Sequence, residues 1–229
     1  VAERFKLVIA EAALELVPRE LWGHPSVYKA ARKRGKRPGE TLLDSTLHHQ
    51  AMKKLPESMR RGRPDIVHIE LLEALESPLN KKGFLETYVH TYNDYVLYIN
   101  PGTRIPRNYN RFIGLMEQLL TLGQVPPPPA KPLMRAEPMN LEKLLARLGP
   151  CKTVAISDSG EQASFREIAI RVSETPCTVI LVKGFPHEDF DAKTLSLVNK
   201  VYAPKMKGLE PWIHLSHLLA HLADILGIA

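Results

Sequence analysis

"CTVILVKG" (Cys177–Gly184) decides the fold. Val179 to Val182 are apolar in succession, and Gly184 closes the run. A strand with one face in water would alternate apolar and polar residues; an unbroken run belongs to a strand covered on both faces. The flanks repeat the theme. Upstream lie a helical pattern, "SFREIAIRVSE" (Ser164–Glu174), and another strand, "KTVAISD" (Lys152–Asp158). Downstream come "AKTLSLVNK" (Ala192–Lys200) as helix, "VYAP" (Val201–Pro204) as strand and "PWIHLSHLLAHLADILG" (Pro211–Gly227) as a last helix. Strands alternating with helices predict an α/β fold, a parallel sheet with helices on both faces.

The first half reads less regularly. "FKLVIAEAALELV" (Phe5–Val17) is a strand running into an acidic, helix-like segment, and "TLLDS" (Thr41–Ser45) is a short buried strand. Apolar residues at 66, 69, 72 and 75 form a helical stripe that Pro78 and Gly83 stop. "FLETYVHTYNDYVLYIN" (Phe84–Asn100) is a hairpin turning at Asn93–Asp94. A helix over "FIGLMEQLLTLG" (Phe112–Gly123) and one over "NLEKLLARLG" (Asn140–Gly149) are separated by "QVPPPPAKP", whose prolines fit neither helix nor sheet interior. The expectation is a single domain over 1–229, with a basic extension at about 22–40 and a stiff surface connection at about 125–132.

No apolar run approaches the roughly 20 residues that span a bilayer, and acidic residues interrupt the N-terminal apolar segment, against a signal peptide. A cytoplasmic protein is expected. Cys151 and Cys177 are the only cysteines. Each precedes a strand, so they bond only if those strands are neighbours; separate thiols are the expectation for this class.

The 229 residues carry a net charge of +6, all of it in residues 1–114, which hold 19 Lys/Arg against 13 Asp/Glu. Such asymmetry is the footprint of a polyanion, most simply a nucleic acid. Six of the ten residues Lys29–Pro38 are basic, as a phosphate-contacting arm or as a solvated helix face. No dinucleotide fingerprint, P-loop, nucleophile elbow or H-E-x-x-H occurs. His214, His217 and His221 share a helical face, suited to a metal or, with no carboxylate or cysteine in the stripe, to packing. His48 and His49 face either a ligand or the core.

"RIPRNYNRF" (Arg104–Phe112) is the sharper signal. A helix starting at Pro106 would place Arg107 and Arg111 one turn apart, with Arg104 in the entering loop. Cations are disfavoured at a helix N-terminus unless an anion meets them. With the free N–H groups they form a cradle for successive phosphates; the alternative is salt bridges, for which Asp94 and Glu117 are the nearest carboxylates in sequence. In "RGRPDI" (Arg61–Ile66), Asp65 can cap the following helix and also fix the guanidinium of Arg63.

Together, "LLDSTLHHQAMKKL" (Leu42–Leu55), "RPDIVHIELLEALESPLNKKG" (Arg63–Gly83) and "NPGTRIPRNYNRFIGLMEQLL" (Asn100–Leu120) resemble the pseudouridine N1-specific ribosomal RNA methyltransferases of ribosome biogenesis, of the SPOUT (α/β-knot) class. The resemblance covers nearly the whole chain. It implies a C-terminal trefoil knot, a homodimer, S-adenosylmethionine as methyl donor, and small-subunit ribosomal RNA as substrate, with other assembly factors as possible partners. It implies RNA contacts at Arg63, Arg104, Arg107 and Arg111, with Asp65 holding Arg63. The cofactor would lie against Lys183, Gly184 and Glu188 and the stretch Pro204, Lys205, Met206, Lys207, Gly208 and Leu209. Where the family pattern leads one to expect "VGAFPHGDF", this chain reads "VKGFPHEDF" (Val182–Phe190), with Gly184 as the nearest substitute for a turn glycine. An inward Lys183 would repel a sulfonium. No general base is assigned. The alternative function is an assembly factor that binds the RNA and transfers nothing.

Overall fold

The computed structural model describes residues 4–206 and 208–228, so the expectation for Lys207 falls outside the described residues. The apolar run "CTVILVK" is strand β7 (Cys177–Lys183). It pairs in parallel with β1 (Arg4–Ala12) on one side and β6 (Lys152–Ala163) on the other. β1 pairs in parallel with β2 (Leu85–Thr91), and β6 with β8 (Lys200–Pro204). The expectation of a parallel sheet holds for these five strands and fails beyond them. β3 (Tyr95–Ile99), β5 (Met134–Pro138) and β4 (Gln124–Val125) complete the sheet antiparallel, in the order β4-β5-β3-β2-β1-β7-β6-β8. The sheet is mixed because the 93–94 turn sends β3 back along β2, and a reversed strand can only recruit β5 from its open edge.

The helices are α1 (Pro25–Lys33), α2 (Ser45–Met52), α3 (Pro64–Glu76), α4 (Pro78–Lys81), α5 (Tyr109–Leu122), α6 (Leu141–Arg147), α7 (Phe165–Ser173), α8 (Ala192–Ser196) and α9 (Pro211–Ile225). The period-two rule of a strand divides β1 between two cores. Phe5, Leu7 and Ile9 face the core built with α3, α5, α7 and α9; Val8 and Ala10 face the core that α6 closes. α1 and α2 close a smaller cluster around Val27 and Leu43.

Several local expectations change. β1 does not run into a helix: after a bulge between Ile9 and Ala12 the chain is extended, meeting Leu42 through one bridge at Leu16. "TLLDS" is buried but supplies only that bridge, because Asp44 caps α2 at the Thr46 N–H. Gln124 and Val125 ahead of the prolines are paired, not loop. Cys151 and Cys177 form a disulfide, against the expectation of separate thiols: Lys152 pairs with Thr178, which sets the preceding cysteines side by side with Cα atoms 4.9 Å apart.

One buried group in this frame is unexplained by packing. Glu70 of α3 is fully buried, and neither carboxylate oxygen has a hydrogen-bond partner. Burial raises its pKa well above the ordinary carboxylate value of 4.5, so the native chain holds a proton there that the unfolded chain releases. Stability from this group is therefore full below 4.5 and falls as pH rises toward the raised native value. Glu70→Gln, neutral at every pH, is expected to gain on the parent protein as pH is raised from about 5, by up to about 1.4 kcal/mol per pH unit until the native carboxyl ionises. Urea unfolding across that range checks it; a constant difference would show Glu70 ionised in the native state.

Candidate functional site

The arginine stretch does not begin its helix at Pro106. Asn108 is the N-cap of α5, its side chain accepting from the Arg111 N–H, so the helix starts at Tyr109. Arg104 and Arg107 therefore stand on the entering loop and Arg111 in the first turn. All three are exposed, and among the described residues none has a side-chain hydrogen bond or ion pair. Both candidate salt-bridge partners are taken. Asp94 accepts from His90. Glu117, 1 % exposed, accepts from Arg34, from Lys36 at 2.6 Å and from the Leu42 N–H at 3.0 Å. The first two contacts also divide the basic arm: Arg34 and Lys36 anchor it to α5, while Lys29, Arg32 and Lys33 stay exposed. The loop is held from beneath. His68 of α3 stacks on Phe112 with centroids 4.3 Å apart, and its Nε2 lies 2.7 Å from the Pro106 carbonyl.

Arg63 precedes α3 and lies fork to fork with Asp65, Nε to Oδ1 at 2.9 Å and a terminal nitrogen to Oδ2 at 2.7 Å. Asp65 does not cap the helix, since no side chain accepts from its first N–H groups; both oxygens are spent on the guanidinium. The hydrogen bonds it donates to Asp65 raise the pKa of Arg63, and the carboxylate of Glu210 adds to it. Glu210 thus places α9's entry within electrostatic reach of Arg63. Tyr109 donates to Asp44 at 2.7 Å and lines, with Arg63, Asp65 and Ser45, a hollow of about 390 Å³.

The second centre lies at the carboxyl ends of β7 and β8, beside Asp158 in the irregular middle of β6, near where ligands sit in sheets of this kind. Lys183, Glu188, Gly208 and Leu209 line a cavity of about 500 Å³. Four wall residues escaped the sequence reading: Asp158, Pro186, His187 and Glu210. Of the others, Pro204 is buried at the end of β8, Lys205 turns to Glu167 at 3.3 Å, and Met206 is exposed; none of the three lines the cavity. Nor does Gly184. A Cβ there would stand 2.7 Å from Ala12 Cα, so glycine is required for the approach of β7 to the bulge of β1, not for the turn. The turn position is Glu188, at φ 67, a left-handed conformation that glycine adopts without strain.

Lys183 does point inward, 7 % exposed. Its ammonium is matched by the Asp158 carboxylate and donates to the Glu188 carbonyl at 3.1 Å. The wall carries three carboxylates (Asp158, Glu188, Glu210) against that one ammonium. A ligand with net positive charge, as a sulfonium nucleoside amino acid has, fits this balance. Asp189 anchors the turn, accepting from the hydroxyls of Ser157 and Ser159 and from the Phe190 N–H. These hydrogen bonds hold its pKa low in spite of its burial.

The two centres are joined. A cavity of about 250 Å³ has Arg61, Arg63 and Ser45 on one side and Pro186 and His187 on the other. It shares Arg63 and Ser45 with the hollow at Tyr109, and Pro186 and His187 with the cavity at Lys183. The histidines divide by environment. His49 lines this middle cavity, whereas His48 is buried, accepting from the Asp44 N–H. His214 is buried beside Phe165 and His217 stacks on the same ring, so these two pack. No metal-holding group of three or more His, Cys, Asp or Glu occurs among the described residues.

A family model described as EMG1/NEP1 methyltransferase matches residues 7–219. The ribosomal RNA small subunit methyltransferase Nep1 of Staphylothermus marinus is 46 % identical over 227 residues, 98 % of each chain. That of Thermococcus kodakarensis is 46 % identical over 222 residues, 97 % of this chain and 99 % of its own. The crystal structure of Archaeoglobus fulgidus Nep1 bound to S-adenosylhomocysteine superposes with a TM-score of 0.85 at 33 % identity, covering 99 % of this chain and all of that one.

Proposed function

The chain belongs to the EMG1/NEP1 methyltransferase family, and from that premise we propose that it transfers the methyl group of S-adenosylmethionine to N1 of a pseudouridine in small-subunit ribosomal RNA. The observation that carries the reading is the run of three cavities with shared walls, from the hollow at Tyr109 in the first turn of α5, past Arg63, to the acidic cavity at Lys183. Phosphates of a single-stranded loop would meet Arg104, Arg107 and Arg111, and an unstacked base would pass Arg63 toward the turn at Pro186–His187. We further propose a cytoplasmic homodimer acting in ribosome assembly and a trefoil-knotted C-terminal segment. The placing of β8 outside β6, with α9 returning to pack on α3 and α7, supports the knot. No helix among the described residues is long and apolar enough to cross a membrane.

The cofactor supplies an electrophilic methyl on a cationic sulfur; everything else is alignment and charge. Lys183, Glu188, Gly208, Leu209, Asp158 and Glu210 would hold it, with Asp158 cancelling the ammonium that would otherwise oppose it. Asp65 fixes Arg63 through Nε and one terminal nitrogen, leaving the other free to meet negative charge on the substrate. A guanidinium so placed stabilises the ring as its N1 proton leaves. Asp65, spent on that fork, is a poor candidate for taking the proton.

Labelled S-adenosylmethionine with two matched small-subunit hairpins, one with pseudouridine in the loop and one with uridine, tests the proposal. Incorporation into the pseudouridine hairpin alone is expected. Tight binding of both without incorporation would favour an assembly factor.

A further inference from the structure

Arg60, in the same segment as Arg61 and Arg63, is 4 % exposed and meets Glu11, Asp191 and Phe185 at once. One terminal nitrogen donates to Glu11, at the bulged end of β1, and the other to Asp191. The guanidinium also lies over the ring of Phe185, 4.3 Å from its centroid. Phe185 and Asp191 are the two ends of the turn that carries Pro186, His187 and Glu188, so one side chain grips the cavity loop at both ends. The Asp191 N–H reaches Glu11 as well, at 3.3 Å. Three residues further along, the same backbone presents Arg63, whose N–H donates to the Ala13 carbonyl at 3.1 Å. The segment from Arg60 to Arg63 is thus fastened to β1 while it grips the cavity loop.

We propose that Arg60 is a positioning residue that couples the two centres: by clamping the 185–191 loop to the segment bearing Arg63, it makes cofactor and RNA each tighten the other's binding. The inference rests on the methyltransferase reading. It needs the bridge, not charge alone, because a point charge at this position cannot hold Glu11 and Asp191 at once as a planar guanidinium does. Coupling of this kind is reciprocal between the two ligands.

The test is calorimetric titration of S-adenosylhomocysteine into the full chain, free and saturated with the pseudouridine hairpin. Asp191→Ala is the principal variant, since it frees the loop and leaves the Arg60–Glu11 pair intact; Arg60→Lys is the second. The parent protein is expected to bind S-adenosylhomocysteine at least about fivefold more tightly when RNA is present. Asp191→Ala and Arg60→Lys should bring that ratio to within about twofold of one, with hairpin affinity in the absence of cofactor unchanged, and Asp191→Glu should restore part of it. A merely structural Arg60 would lower both affinities and leave the ratio alone. A ratio of one in the parent, or an undiminished ratio in Asp191→Ala, overturns the coupling while the methyltransferase reading stands. A parent protein that binds neither ligand overturns both.

Discussion

Replacing Arg104, Arg107 and Arg111 together by alanine is expected to weaken binding of the small-subunit hairpin by at least two orders of magnitude and to leave S-adenosylhomocysteine affinity within about twofold. The separation follows from what these side chains touch. They are exposed and make no side-chain hydrogen bond or ion pair among the described residues, and Glu76, on which Arg104 and Arg107 act from a distance, keeps Lys81, so their removal leaves no buried charge behind and no packing defect. A charge-assisted contact to phosphate is worth about 1.5–3 kcal/mol, and at the lower end three of them still exceed a hundredfold. Counterion release gives a second signature: the slope of log affinity against log salt should become shallower by about two. The cavity at Lys183 draws none of its walls from these residues. Equal loss of both ligands would show that the loop supports the cofactor site; unchanged RNA affinity and slope would place the RNA elsewhere, with the exposed Lys29, Arg32 and Lys33 the next candidates.

How far such a site could be read from sequence depends on how locally each part is determined. Arg63 and Asp65 are two residues apart on either side of a proline, so their fork was legible from local sequence, although Arg63 at φ -124, ψ 62 is not the extended residue expected there. The hairpin at Asn93–Asp94 and the existence of α3 were legible for the same reason. The face α3 buries, however, runs through Val67, Leu71 and Ala74, and Ile69 and Leu72 of the expected stripe are only half-buried. The helix start at Asn108 was legible in principle, since Asn caps well, but Pro106 offered a competing start two residues earlier. β5, "MRAEP", was not: its residues alternate poorly, and it is a strand because β3 offers an open edge. Lys183 was read as a threat to the cofactor because its partner Asp158 lies 25 residues away in sequence, and Arg60 was passed over because Asp191 lies 131 away. Ion pairs closed by the tertiary fold carry no periodicity to detect. The glycine expected at 188 shows the reverse case: the backbone there keeps a positive φ although the residue is glutamate.

The disulfide was illegible on those same grounds, and its removal should have the largest effect on stability. Cys151 and Cys177 close a loop with a sequence separation of 26, which contains all of β6 and α7. In the chain-entropy account, a cross-link of that span takes about 3–4 kcal/mol of freedom from the unfolded chain. For a chain of this size each kcal/mol moves Tm by about 2–4 °C, so Cys151→Ser with Cys177→Ser is expected to melt about 6–15 °C lower than the oxidised protein. The oxidised parent treated with reductant should fall toward the double variant, and the double variant should not respond to reductant at all. That comparison separates the cross-link from the side chains, because serine alters packing with or without reductant present. The bond lies at the amino ends of β6 and β7, away from the middle of β6 and the carboxyl end of β7 that build the cavity. Below the melting transition, S-adenosylhomocysteine affinity should therefore be the same in oxidised and reduced protein. A shared Tm for oxidised and reduced parent would mean the two sulfurs never bond; a cofactor affinity that follows the redox state would mean strain passes along β7 to Lys183.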